Sequence, residues 1–189
     1  MSALKTGEQT RRKTVTRTFR INEEWDRILQ EEAEKQGITV SALMSQILCR
    51  YVTSERFFER YQNITIGNKT LNAVIKKTSA RNLATVGKSE GAIRPREQLL
   101  TVGLQPNFGS VCWLIEEIYD RNNYWYRCEH HVIKEQNVFN LIHNIDKNWS
   151  IFIGSYMASM FKALLNVDVT TEIEDDSVTV YVDNKLVSF

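Results

Sequence analysis

From Thr14 to Arg20 the side chains alternate along the chain. Val15, Arg17 and Phe19 fall on one side of an extended backbone, and Thr16, Thr18 and Arg20 fall on the other. This spacing predicts a strand with one partly apolar and one wholly polar face, whose backbone groups need a partner strand. The period then changes from two to between three and four. Asn22 is a natural helix cap, followed by Glu23 and Glu24 where the helix dipole favours acids. Trp25, Ile28, Leu29 and Ala33 form the apolar stripe of this first helix, and Gly37 is its stop. Thr39 caps a second helix with Leu43, Met44, Ile47, Leu48, Tyr51 and Val52 at helical spacing, running on towards Phe57, Phe58 and Tyr61.

After a boundary at residues 62–72, broken by Gly67, the pattern predicts a helix over 69–86 with Leu71, Val74, Ile75, Leu83 and Val86 as core positions. Arg94-Pro95-Arg96-Glu97 reads as a turn before a short helix at 96–102. Residues 108–119 and 124–133 read as two strands joined at Asp120-Arg121-Asn122-Asn123. An apolar helix covers 149–165, with an upstream extension towards Asn137. Residues 167–174 and 177–182 make a hairpin about Asp175-Asp176. The fold class is therefore α+β: a strand-helix-helix module, then an α+β domain with an antiparallel sheet.

Composition bounds the function class. The chain has 189 residues, of which 42% are hydrophobic and 25% charged, enough for a packed core. Its apolar stretches are too short to span a bilayer and its N-terminus lacks a signal-peptide core, so the expectation is a cytoplasmic protein with no membrane partner. Cys49, Cys112 and Cys128 are too scattered for a disulfide framework and read as reduced thiols. Net charge is +1 but uneven. Residues 1–20 hold six basic side chains against Glu8 alone, and residues 61–100 hold seven against two acids. Residues 101–189 reverse the balance, with six basic against twelve acidic side chains. A basic front suggests a polyanion-binding end.

The segment TRTFRINEEWDRILQEEAEKQGITVSALMSQIL, within residues 14–61, resembles the ribbon-helix-helix repressors of the Arc and MetJ type. Asn22 stands where many of them carry proline. The resemblance implies an intertwined dimer whose two-stranded ribbon enters the major groove of double-stranded DNA, with Thr16, Thr18 and Arg20 at base edges. It implies a phosphate at Thr39, Val40 and Ser41, the start of the second helix. Arg11, Arg12 and Lys13, in a basic arm over residues 1–13, would follow the DNA backbone. The expected function is thus a prokaryotic, sequence-specific transcriptional regulator, a repressor acting as a homodimer or higher homo-oligomer. The domain at 62–189 would sense a small-molecule or metal effector, assemble, or contact a protein. The alternatives are the antitoxin of a toxin–antitoxin pair and an enzyme with an appended DNA-binding module.

Other candidate chemistry is weaker. Cys128, His130 and His143 are the alternative metal set, since imidazole and thiolate hold transition metals, but paired CxxC or HxxxH spacing is missing. The expectation is no metal and no cofactor. Trp113, Trp125, Tyr126, Trp149, Phe152, Tyr156 and Phe161 read as core aromatics before they read as a ligand pocket. Glu116-Glu117 and Glu174-Asp175-Asp176 read as solvated acids, and no nucleophile elbow or phosphate-binding loop is present, so no enzymatic activity is expected.

Overall fold

The computed structural model describes residues 14–57 and 64–186. The chain divides into two compact units, one within Lys5–Ile64 and one carrying Thr65–Phe189.

In the first unit, helix α1 spans Glu23–Lys35 and helix α2 spans Val40–Thr53. Both caps act as their sequence predicts: Asn22 accepts from the Glu24 amide and Thr39 from the Ala42 amide. Gly37 turns the chain between the helices at a φ of 65°, a left-handed conformation that disfavours any side chain. A short 3₁₀ turn, Glu55–Phe57, follows α2. Residues 14–20, expected as a strand, form none; they run exposed and outside any sheet. The alternation of Val15 and Phe19 with threonines makes an extended segment, but a strand exists only where another strand takes up its N–H and C=O groups. Phe58 and Tyr61 lie outside the described residues.

The second unit is α+β with a four-stranded antiparallel sheet. Its elements are α3 (Asn68–Ile75), α4 (Ala80–Val102), α5 (Phe108–Trp113) with a π-helical continuation (Leu114–Asn122), β1 (Arg127–Ile133), β2 (Gln136–Ile142), α6 (Lys147–Leu165), β3 (Thr170–Ile173) and β4 (Ser177–Asp183). The strands lie in the order β1-β2-β4-β3. Register puts Phe139 opposite Val180 and Leu141 opposite Val178, so one face of the sheet is aliphatic and aromatic. Thr179 and Tyr181 alternate onto the other face.

Helix α6 sits between the sheet and α4, which explains why it is apolar nearly all round. Gly154 faces the sheet, where an added methyl would lie 3.2 Å from Ile173. The opposite side carries Phe152 and Tyr156 against α4. The two helices run side by side in the same direction: the Ser159 hydroxyl donates to the Lys88 carbonyl at 2.6 Å, and Arg96 donates to the Ala163 carbonyl at 2.9 Å. Gly87, Gly91, Pro95 and Leu99 form the buried line of α4. Pro95, expected at a turn, lies inside this helix. It removes one helical hydrogen bond, that to the Gly91 carbonyl.

Two further expectations are corrected. Residues 108–119 are helical rather than a strand. Phe108, Val111, Leu114, Ile115 and Ile118 bury at helical spacing, and a reciprocal cap starts the helix: Asn107 Oδ1 accepts from the Ser110 amide and Ser110 Oγ from the Asn107 amide, each at 2.9 Å. Residues 137–142 are strand rather than an extension of α6, entered through a two-residue turn in which Lys134 takes a φ of 55°.

Candidate functional site

Two places concentrate chemistry or unpartnered surface. The first lies where the π-helical segment passes β1. A wide helical turn is a frequent feature of functional sites. Here it places Glu116 Oε1 2.8 Å from His130 Nδ1. His130 Nε2 lies 2.8 Å from Asn137 Oδ1, and Asn137 in turn donates to Asn184 Oδ1. The imidazole stacks on Phe139, ring centroids 4.1 Å apart. One helical turn further on, Asp120 Oδ2 accepts from the Cys128 amide at 3.0 Å. The network ties the helix to the strand through three side chains. Glu116 is therefore a partner of His130 rather than a solvated acid. The sequence could not have revealed this, because a strand at 108–119 would have aimed it elsewhere.

The thiols nearby are held in their protonated form. Burial, followed by the negative charge of Glu116, pushes both Cys112 and Cys128 up to about 12. A thiol in that state is a poor nucleophile and a poor metal ligand. His143 stands apart from this group. Its Nδ1 accepts from the Ile145 amide at 3.3 Å and its Nε2 lies 2.8 Å from Ser150 Oγ. Both nitrogens of both histidines are thus occupied, and Cys128, His130 and His143 do not form one ligand set. Among the described residues, no group of three or more His, Cys, Asp or Glu side chains could hold a metal ion.

The aromatic residues fill space rather than line it. Trp125 stacks on Tyr119 at 4.8 Å and meets the edges of Trp149, Phe152 and Tyr156 at 5.3–5.9 Å. The Tyr119 and Tyr156 hydroxyls are 3.0 Å apart, and Tyr119 also donates to Gln98 at 2.6 Å. The Trp149 indole donates to the Trp125 carbonyl at 3.0 Å.

The second place is the surface of the first unit. Its buried apolar side chains among the described residues are Ala33, Leu43 and Phe57. Against these, Phe19 is 62% exposed, Trp25 64% and Leu48 54%, with Val15, Ile28, Tyr51 and Val52 also exposed. They recur at helical spacing: Trp25 and Ile28 on α1, and Leu48, Tyr51 and Val52 on α2. Scattered apolar side chains on a surface need no explanation, but a set larger than the core beneath it does.

The residues expected to touch DNA occupy this unit. Thr16, Thr18 and Arg20 lie in the exposed segment before α1. Thr39 is the α2 cap, and Val40 and Ser41 are in its first turn. Arg11, Arg12 and Lys13 lie outside the described residues.

No family model matches the chain, and no curated protein matches it. Among solved structures, it is similar to the crystal structure of a trafficking protein particle complex subunit 3 from Naegleria fowleri covalently bound to palmitic acid. The two share 12% identity with a TM-score of 0.40, over 74% of this chain and 95% of that one. A likeness of that size carries neither an activity nor a partner over to this chain.

The expectation of a ribbon-helix-helix repressor is corrected on the structure: the segment meant to form the ribbon, residues 14–20, is not a strand and lies exposed outside any sheet. The ribbon that would carry Thr16, Thr18 and Arg20 to base edges is not shown. Double-stranded DNA as partner, transcription regulation and repression fall with it.

Proposed function

We propose that this chain is a protein-assembly component, whose first unit closes its core against another polypeptide. The exposed apolar set of α1 and α2 carries this reading. A unit of some 50 residues that keeps Trp25, Ile28, Leu48, Tyr51 and Val52 in water leaves unused most of the burial available to it. Covering these five side chains is worth on the order of 5–10 kcal/mol, comparable to the net stability of a whole domain. A protein partner with a complementary apolar face recovers that energy. The aromatic and aliphatic character of the patch suits the core of an interface.

The reading is non-catalytic. What supports it is the state of the reactive groups: His130 is fixed between two oxygens, and both buried thiols stay protonated. The free cysteines support a reducing, cytoplasmic compartment. No helix among the described residues is long and apolar enough to cross a membrane.

A photo-reactive amino acid placed at Leu48 or Trp25 in living cells tests the proposal, with exposed Glu31 on α1 as control. Cross-linking to a polypeptide from the two apolar positions but not from Glu31 is the expected result. Free, uncross-linked chain at all three positions would refute it.

A further inference from the structure

The second unit carries a surface of a different kind. Residues 64–89 contain no acid and no aromatic residue, but they hold Lys69, Lys76, Lys77, Arg81 and Lys88. All five are exposed on α3, α4 and the turn between them. The ion pairs nearby go elsewhere: Glu90 and Glu97 both pair with Arg94, at 2.8 and 2.9 Å. On α4, Arg81, Thr85 and Lys88 follow one another at helical spacing on the side away from the buried line of Leu83, Gly87 and Gly91. Ile66 and Val74, just before and on α3, are exposed as well.

We propose that this α3–α4 surface docks on an anionic membrane, with the lysines at lipid phosphate and carboxylate headgroups and the side chains of Ile66 and Val74 entering the interfacial layer. Four to eight basic residues on an amphipathic helical surface suffice for attraction to an anionic leaflet, each multiplying the partition several-fold. The side-chain types favour lipid over nucleic acid. Single-stranded nucleic acid is held by aromatic stacking, and residues 64–89 offer no aromatic ring. Four of the five cations are lysines, point charges suited to diffuse headgroups, rather than the bidentate forks that read bases. Exposed isoleucine and valine have an acyl layer to enter at a membrane and nothing equivalent at a phosphate backbone. The surface lies on the membrane and crosses nothing.

Flotation of the full chain with phosphatidylcholine vesicles, with and without about a third phosphatidylserine, tests this. Binding is expected to the anionic vesicles, weakening as salt rises to about 0.5 M. The double substitution Lys76→Glu with Lys77→Glu should lower it by about tenfold or more. Lys134→Glu, which reverses an exposed charge in the β1–β2 turn, should change it little. Circular dichroism confirms that each variant is folded. Equal binding to neutral and anionic vesicles overturns the proposal, and so does equal loss in the two variants. Binding of an RNA oligonucleotide through Lys76 and Lys77, with no vesicle binding, replaces it with a nucleic-acid surface. None of these outcomes bears on docking through α1 and α2.

Discussion

Burial of His143 disfavours its charged form and lowers its proton affinity below the ordinary value of 6.5, although Asp176 and Asp146 pull the other way. The hydrogen bonds agree: an imidazole that accepts from the Ile145 amide and donates to Ser150 is neutral. Because the folded chain binds this proton less readily than the unfolded one, the stabilisation is present above about 6.5 and is lost as pH falls through the lowered value. Urea midpoints measured from pH 7 to 5 should therefore decline, and His143→Gln should decline less steeply. An equal decline in both would show that His143 does not contribute. At this scale the caps were legible, because Asn22 and Thr39 act on amides two or three residues away. The partners of His130 were not, because Glu116 reaches it only through a wide helical turn that no local signal marks.

Helix α4 is defined by what it lacks. A methyl on Gly91 would meet the Tyr156 carbonyl oxygen at 2.3 Å, and one on Gly87 the Phe152 carbonyl oxygen at 2.5 Å. Both contacts are with backbone, which cannot swing aside, so the two helices pack closely only with glycine there. Gly91→Ala should cost about 2–3 kcal/mol in denaturant unfolding, while Gly67→Ala, with nothing nearby, should stay within about 0.5. Equal effects would mean that α4 and α6 can move apart. The i, i+4 spacing of Gly87, Gly91 and Pro95 was present in the sequence, yet proline reads as a breaker until its helix is seen buried against a neighbour. The β3–β4 hairpin was legible because Asp175-Asp176 separates two alternating runs. Strand β2 was not, because Lys134 and Glu135 turn the chain without glycine, proline or asparagine. Residues 108–119 misled because valine and isoleucine suit strands, while their burial follows a helical period.

At the scale of the whole molecule the two units are unequal. The second buries Phe139, Leu141, Ile153, Met157, Met160, Phe161 and the valines of β4 in one continuous core. Among its described residues, the first buries the apolar side chains of Ala33, Leu43 and Phe57. The α+β class and the position of the first two helices were legible, since periodicity reports local structure. What those helices serve was not, because a polar strand face and a basic arm have the same sequence on DNA, beside a protein, or in water. Amide hydrogen exchange of the purified protein, alone and at high dilution, tests most directly whether the first unit depends on another chain for its stability. Without partner chains, the amides of α1 and α2 should show little protection while those of α4, α6 and the sheet keep theirs. Protection of α1 and α2 that matches α4 and α6 under these conditions would show instead that the first unit is stable by itself.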